Sequence, residues 1–291
     1  MPSIAVVIAS LGRPETVGEV VSCLRRQSRP ADRIVLSVTS EADLPTGIDL
    51  DDMDILYGSK GLCAQRNRSL ELLQNDYDYI VFFDDDYVPS RYALEGIERY
   101  FEDQPGIVGI SGNMLKDGIG GPGVSFDEAV KIVEDYDRQP APDVEIIEEV
   151  DGLYGCNMAF RASTIGDKRF DENLPAYGWL EDNDFSNRLM PHGKLVYTTA
   201  FAGVHCGVKK ARSPGLRLGY SQIANPVYLA RKGTVTWRKA LKLMSRNFLA
   251  NHAKTFTPEP WVDRWGRCKG NWRALRHALT GKLSPLYILE L

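Results

Sequence analysis

The sequence of 291 residues lacks the features that mark several classes of protein. Its five cysteines are scattered and include no CxxC pair, so neither a disulfide framework nor a structural zinc site is expected, and a reducing cytoplasm fits best. The first residues do not resemble a signal peptide, and no run approaches the roughly 18 apolar residues of a membrane span. The motifs of a P-loop nucleotidase and of a serine-hydrolase nucleophile elbow are also missing.

Acidic residues are scarce in the last third of the chain. Residues 1–200 contain 18 Lys and Arg against 36 Asp and Glu, whereas residues 201–291 contain 17 against 3, for a formal net charge of −4. Aromatic residues and leucines lie among the C-terminal cations. This composition predicts a surface for an anionic partner, such as membrane lipid, a phosphorylated substrate or nucleic acid.

Strand and helix patterns alternate in the first half of the chain. The continuous apolar run "IAVVIAS" (4–10) is typical of a strand covered on both faces, and Pro14 then begins an amphipathic helix. The same reasoning predicts strands over 33–39, 54–57, 79–83 and 106–114, and helices over 62–75 and 90–103. Such alternation indicates an α/β fold with a mostly parallel sheet, whose ligands bind at the carboxyl ends of the strands.

The second half is less regular. The many glycines and prolines of 115–150 predict a loop with one helix near 125–135, and the "GIGGPG" stretch within it favours a flexible loop over a dinucleotide-binding turn. Two or three amphipathic helices are expected beyond residue 215. Strands are predicted over 152–163 and 194–205, and a helix within 179–194.

Three consecutive carboxylates, Asp84, Asp85 and Asp86, follow the strand predicted at 79–83. Like charges this close raise one another's pKa values unless something positive lies among them. Asp84 and Asp86 can point to the same side of the strand end, and hard oxygen ligands in that arrangement suit Mg²⁺ or Mn²⁺ beside a diphosphate. A helix start is the alternative, but Ser90 is the better N-cap candidate, so metal binding is favoured.

A second acidic cluster lies in "WLEDND", where Glu181, Asp182 and Asp184 begin a predicted helix. The helix dipole stabilises carboxylates in a first turn, which is the purely structural explanation. Tyr177 and Trp179 offer another, because an aromatic ring can hold a sugar face while a neighbouring carboxylate takes a proton.

Two further residues are candidates for this site. His205 ends the strand that follows the acidic helix; a lone histidine is more often structural, but imidazole also binds ions such as Mn²⁺. Arg66, on the helix predicted at 62–75, could reach a diphosphate or could be an ordinary surface arginine.

The order of these motifs resembles that of family-2 glycosyltransferases with the GT-A fold. The matching stretches cover about residues 3–207 and are "VVIASLGRP", "GLCAQRNRSLE", "FFDDDYVP", "YGCNMAFRAS", "FDENLPAYGWLEDNDFSNRL" and "VH". The resemblance implies a GT-A catalytic domain over 1–207, followed by a basic helical extension over 208–291.

The resemblance also implies roles for individual residues. In the DXD motif Asp84 would contact the ribose or the metal and Asp86 would bind the metal, with His205 completing the metal site. Asp182 of the "ED" motif would be the catalytic base, with Glu181 as the alternative. Tyr177 and Trp179 would contact the acceptor, and the nucleotide sugar would contact Ala9, Ser10, Arg13, Thr39, Arg66, Asp84 and Asp85.

The chain departs from the family pattern in two places. Val38 and Thr39 stand where members often carry Asp-Asp, so Thr39, Ser40 or Glu41 would have to replace the aspartate that reads the base. The first motif reads Ala-Ser-Leu-Gly (9–12) where Pro-Thr-Tyr-Asn is usual. The nucleotide is therefore not identified.

The resemblance predicts an inverting, Mg²⁺- or Mn²⁺-dependent transfer from a nucleotide-diphosphate sugar to a hydroxyl of a glycan acceptor. The acceptor is expected to be lipid-linked, in surface or exopolysaccharide synthesis, and the enzyme to be cytoplasmic and peripheral on the inner face of the membrane. No nucleic-acid partner is expected. One alternative is a sugar-nucleotide pyrophosphorylase, but such an enzyme normally needs a glycine-rich, Arg-containing loop after the first strand, and "ASLGRPET" in this chain is a poor match to it. The other is a catalytically silent protein that binds a sugar nucleotide or polysaccharide.

Overall fold

The computed structural model describes residues 1–73, 76–140, 144–209 and 214–291. The strands are β1 Ile4–Ala9, β2 Arg33–Val38, β3 Asp54–Tyr57, β4 Tyr79–Asp84, β5 Tyr87–Pro89, β6 Ile107–Asp117, β7 Ile146–Val150, β8 Asn157–Arg161 and β9 Lys194–His205. The helices are α1 Pro14–Leu24, α2 Leu62–Leu73, α3 Ala93–Asp103, α4 Phe126–Asp137, α5 Ala162–Ile165, α6 Glu181–Asn187, α7 Gly215–Lys232, α8 Trp237–Lys254 and α9 Arg264–Leu279. The last two residues of the helix predicted at 62–75 lie outside the described residues.

All of these strands belong to one sheet, in the order β3-β2-β1-β4-β8-β6-β9-β5, with β7 paired to β9. The strands β3, β2, β1 and β4 are parallel, as predicted, and the residues of β1 from Ile4 to Ile8 are buried on both faces. The second half of the sheet is mixed. β8 runs antiparallel to β4 and β6, whereas β6 and β9 are parallel. The α/β fold with a central sheet flanked by helices is therefore confirmed.

Two strands and one helix start differ from the sequence predictions. The segment predicted as loop contains β7, and β5 follows the acidic triplet where a helix start was considered. Helix α3 begins only at Ala93, so Ser90 is not its N-cap; the Ser90 hydroxyl instead donates to Asp137 Oδ1 at 2.5 Å. Pairing of β5 with β9 keeps the chain extended through Pro89 and delays the helix.

The three C-terminal helices pack on one another and on the rest of the fold. Glycines allow α7 and α9 to approach closely: a methyl group on Gly270 would lie 2.2 Å from the carbonyl oxygen of Leu216. Leu229 and Val235 belong to the same buried cluster as Phe82 and Phe185. The boundary at 207/208 remains a prediction. Within the described residues, no helix has the length and apolar character needed to cross a membrane.

Candidate active site

Asp84, Asp86 and His205 come together at the carboxyl end of β4. Tyr87 of β5 pairs with His205 in register, and this pairing brings the end of β9 beside the acidic triplet. One ligand atom from each of the three side chains lies within 4.8 Å of the others. Two carboxylates and one imidazole are donors that Mg²⁺ and Mn²⁺ accept, so the residues fit the divalent cation expected from the sequence.

His205 is held in place by acidic partners on both ring nitrogens. Its Nε2 is 3.4 Å from Asp86 Oδ1, and its Nδ1 is 2.9 Å from Asp117 Oδ1. The Tyr154 hydroxyl donates to the other oxygen of Asp117 at 3.0 Å. Burial lowers the pKa of His205, but the hydrogen bonds to Asp117 and Asp86 outweigh it and raise the pKa to about 10. A carboxylate behind an imidazole is a common way to orient a metal-binding histidine.

Each carboxylate of the triplet lies beside at least one positively charged group. Asp84 accepts from Arg66 Nη2 at 3.1 Å, and Asp85 accepts from Arg13 Nη1 at 2.8 Å. Asp86 pairs with His205, and its Oδ2 also lies 3.6 Å from Arg13 Nη1. These cationic partners offset the repulsion within the triplet.

The pKa values of the triplet diverge because the side chains differ in environment. Burial raises the pKa of Asp84, and it raises the pKa of Asp85 to about 7 although Arg13 opposes this. Burial also acts on Asp86, but its hydrogen bond with His205 and its attraction to His205 and Arg13 lower the pKa below the usual value. Asp86 is thus the carboxylate of the three that most favours the anionic form.

Arg66 is an interior residue with an exposure of 2%, not a surface arginine. Its guanidinium donates to Glu181 Oε1, to Asp84 Oδ1 at 3.1 Å and to the carbonyl oxygen of Gly155 at 2.9 Å. These contacts connect the triplet on β4 with the acidic helix α6. The guanidinium is therefore engaged with protein groups on both sides of the candidate site.

The two acids of the "ED" pair have different surroundings. Glu181 is 4% exposed and faces Arg66, and burial raises its pKa well above the usual value. Asp182 is only half-buried; its Oδ2 accepts the Gly155 N–H at 2.9 Å and its Oδ1 accepts the Asn183 N–H at 2.7 Å. Asp182 is thus the acid of the pair with the greater access from solvent.

The segment before α6 carries unusual backbone geometry. Ala176, Gly178 and Leu180 have φ values of +58°, +66° and +75°. For the two residues other than glycine this left-handed conformation costs roughly 1–2 kcal/mol each. It leaves Tyr177 51% exposed and places Trp179 so that its carbonyl oxygen accepts from Asn225 Nδ2 at 2.8 Å.

The residues predicted to contact the nucleotide lie along the ends of β1 and β2. Ala9 pairs in register with Asp84, and the Ser10 hydroxyl donates to Asp85 Oδ2 at 2.6 Å. Arg13 contacts Asp85 as described above. Thr39 follows β2, and its hydroxyl donates to Asp43 Oδ2 at 2.7 Å.

Asp43 is a residue that the sequence analysis missed. It is buried, and it also accepts backbone N–H groups of Gly12 at 2.6 Å and Ser40 at 3.1 Å, so it ties together the loops after β1 and β2. These hydrogen bonds outweigh burial and lower its pKa. The sequence does contain a signal for it: Asp43 lies four residues after Thr39, in the segment where members of the resembling family carry an aspartate that reads the base.

The comparisons with known proteins give matches at the level of structure. No protein-family model matches the chain, and no curated protein matches its sequence. A crystal structure of S. aureus TarS 1-349 aligns with a TM-score of 0.54 and 14% identity, over 99% of this chain and 90% of that chain. The same protein in complex with UDP-GlcNAc aligns with a TM-score of 0.54 and 14% identity, over 96% of this chain and 92% of that chain.

A mannosyltransferase also has a similar fold. Mannosyltransferase PcManGT from Pyrobaculum calidifontis, in complex with GDP-Man and Mn²⁺, aligns with a TM-score of 0.53 and 12% identity over 99% of this chain and 85% of that chain. A longer S. aureus TarS chain is covered over only 44% of its length. At these identities the likeness shows the fold, which is the GT-A-like fold that the motifs predicted.

Proposed function

We propose that this protein is a metal-dependent, inverting glycosyltransferase of the family-2 type. The observation that carries the proposal is the convergence of Asp84, Asp86 and His205 at a strand end. Arg66 and Gly155 connect this group to Asp182, the proposed base. A cation site next to a solvent-accessible carboxylate is what transfer from a nucleotide-diphosphate sugar requires.

The proposed chemistry divides between the two acidic groups. Asp84, Asp86 and His205 would hold Mg²⁺ or Mn²⁺, which when bound neutralises charge on the departing diphosphate. Asp182 takes the proton from an acceptor hydroxyl, which attacks the anomeric carbon from the face opposite the diphosphate. A single displacement inverts that carbon and forms no covalent glycosyl-enzyme.

The donor is proposed to be a nucleotide-diphosphate sugar. Solved structures with the same fold are complexes with UDP-GlcNAc and with GDP-Man and Mn²⁺, which supports this class of donor. Ala9, Ser10, Arg13 and Thr39 are proposed to line the nucleotide end of the site. Arg66 is proposed to position the two acidic groups, because its guanidinium is buried against them.

The acceptor is proposed to be the hydroxyl of a lipid-linked glycan in surface or exopolysaccharide synthesis. Tyr177 and Trp179, beside the proposed base, would contact the acceptor sugar. The basic segment 208–291 would keep the enzyme peripheral on the cytoplasmic face of the membrane, with no nucleic acid involved.

A panel of sugar nucleotides tests the proposal. With Mn²⁺ or Mg²⁺ present, slow transfer of the sugar to water should release the nucleoside diphosphate from at least one donor, and EDTA should stop the release. Formation of a sugar nucleotide from nucleoside triphosphate and sugar 1-phosphate would instead identify a pyrophosphorylase. Tight donor binding with neither reaction would identify a silent binding protein.

A further inference from the structure

Helices α8 and α9 carry six large apolar residues on the outside. The buried residues of α8 are Ala240 and Asn251, and those of α9 are Gly266, Cys268, Gly270, Asn271 and Ala274. The exposed apolar residues are Trp237, Leu241, Leu249, Trp265, Trp272 and Leu279, with exposures between 50% and 90%. A surface helix of a soluble protein normally shows the opposite arrangement. We call these six residues, with the cations on the same turns, the aromatic–basic face.

The inner side of these helices is already satisfied by polar contacts. Asn251 Nδ2 donates to Gln222 Oε1 at 2.7 Å and to Asn271 Oδ1 at 3.0 Å, and Asn271 Nδ2 donates to the Gly219 carbonyl oxygen at 2.6 Å. This buried amide network joins α7, α8 and α9. The helices are therefore fixed with small and polar residues inward, together with half-buried Met244 and Leu275, while the six exposed residues lie outside the core.

Cations accompany the apolar residues along both helices. On α8, Arg238, Lys242 and Arg246 repeat every four residues. Arg238 and Arg246 precede Leu241 and Leu249 by three positions, so the cationic and apolar residues of this helix are neighbours. All three are exposed, and none forms an ion pair within the described part of the chain.

On α9 the cations alternate with the apolar residues. Lys269 and Arg276 lie on the same side as Trp265, Trp272 and Leu279, at spacings of three and four, and Lys269 Nζ lies 5.3 Å from the ring centroid of Trp265. Each turn of this side thus presents an apolar residue or a cation.

Helices α8 and α9 meet at aromatic residues, and the segment that contains them has few acids. The Trp272 ring packs edge-on against Phe248 of α8, with centroids 5.3 Å apart, next to Leu249. The acids of residues 214–291 are Glu259, Asp263 and Glu290; Glu259 pairs with Lys254 and Arg264, and Asp263 caps α9. None of them belongs to the face.

We infer that the aromatic–basic face lies directly on an anionic lipid bilayer. Tryptophan favours the boundary between headgroups and acyl chains, and exposed leucines gain burial there, while arginine and lysine are attracted to anionic headgroups. A soluble polyanion would account for the cations but not for the exposed leucines and tryptophans. The inference deepens the proposed function, since it rests on the proposal that the acceptor is lipid-linked.

Vesicle binding by the full chain, without substrates, tests the inference. We expect at least 10-fold tighter binding to vesicles containing phosphatidylglycerol than to pure phosphatidylcholine vesicles, and binding should weaken with salt. Trp237→Ala with Trp265→Ala should weaken binding at least 10-fold, and so should Arg238→Gln with Lys242→Gln and Arg246→Gln. A matched control removes three exposed cations elsewhere, by Arg99→Gln, Lys131→Gln and Arg138→Gln, and should bind like the unmodified chain.

Three outcomes would overturn the inference. The protein could stay in solution with anionic vesicles at low salt, or the control could lose binding as fully as the α8 triple variant. It could also bind soluble polyphosphate while ignoring vesicles, which would identify a soluble polyanionic partner. Nucleoside diphosphate release, measured without vesicles, reports separately on the proposed reaction, so the two failures are distinguishable.

Discussion

Asp86 is the residue of the triplet whose charge the surroundings most favour. Besides its contact with His205, it accepts the Val208 N–H at 2.6 Å. The sequence alone predicts less repulsion, and no loss of stability, when one of the three charges is removed. The positive partners of Asp86 in the structure change this expectation. Removal of the Asp86 charge leaves His205 and the backbone donor with a weaker partner.

Asp86→Asn should therefore keep the fold but lower the free energy of unfolding by roughly 1–3 kcal/mol, because buried donors lose a charged acceptor. Mn²⁺ affinity, measured by calorimetry without substrate, should fall by about 100-fold or more, since a ligand is lost. Asp85→Asn is the matched control, and it should keep Mn²⁺ affinity within a few-fold. Unchanged Mn²⁺ affinity in Asp86→Asn would show that the metal binds elsewhere.

The two acids of α6 should respond differently to substitution. Asp182→Asn should lower kcat by roughly 10²-fold or more while the KM for the donor stays unchanged, as expected for loss of a general base. Glu181→Gln should instead lower the free energy of unfolding by roughly 1–3 kcal/mol, because Arg66 keeps Asp84 as a partner but loses a charged acceptor. If Glu181→Gln lost turnover at unchanged stability and Asp182→Asn stayed active, the base would be Glu181.

The sequence motifs identified the residues that cluster at the candidate site, but not the neighbouring residues that hold them in place. Asp84, Asp86 and His205 lie at the ends of β4 and β9, and the end of a strand can be located in the sequence where its apolar run stops. Asp117 was missed because its contact with His205 depends on the register of β6 and β9, between residues 88 positions apart. The burial of Arg66 likewise depends on three segments distant in sequence.

At the scale of elements, the C-terminal helices hold the helix that carries the proposed base. Lys232 Nζ, at the end of α7, lies 2.8 Å from Asp184 Oδ2 and 2.6 Å from Asp171 Oδ2. The Thr234 hydroxyl donates to Asp184 Oδ1 at 2.7 Å, and Lys239 Nζ donates to Asn183 Oδ1 at 2.8 Å. The position of α6 is therefore fixed in part by residues beyond position 230.

Lys232→Met should lower the free energy of unfolding by roughly 1–3 kcal/mol, because fully buried Asp184 would lose one cation but keep Arg188, whose Nη2 lies 3.3 Å from Asp184 Oδ2. In the folded fraction kcat should fall more than donor affinity, since the base helix moves while the nucleotide end of the site does not. Lys131→Met, on the exposed side of α4, is the control and should leave both stability and kcat unchanged. Equal losses in the two variants would contradict a specific hold on α6.

Periodicity predicted the long elements and the short strand β3, but not β5 or β7. β5 has three residues and β7 contains two adjacent glutamates, so neither carries an apolar pattern of its own; both exist because β9 offers an edge for pairing. The reversed direction of β8 was also hidden, because an apolar run reports burial and not strand direction.

At the scale of the whole molecule, the C-terminal extension shares its core with the sheet. Leu229, Ala230, Val235 and Ala240 lie in one buried cluster with residues of β1, β4 and α6. The chain ending at residue 207 would expose that cluster to water.

Truncation after residue 207 should therefore yield a protein that aggregates or lacks the near-ultraviolet circular dichroism of a packed core. The full chain should unfold in a single thermal transition, because its parts share buried contacts. A soluble, natively packed fragment 1–207 would show that the extension folds separately. Point variants of the aromatic–basic face, rather than truncation, are for this reason the proper test of bilayer binding.

The separation of charge along the chain makes the molecule an electric dipole. With −18 in residues 1–200 and +14 in residues 201–291, the net charge of −4 understates the field on either side. An anionic surface attracts one end and repels the other, so the protein turns before it touches. The same torque would act at a cation-exchange resin at neutral pH, which should retain this net-negative protein by its C-terminal helices.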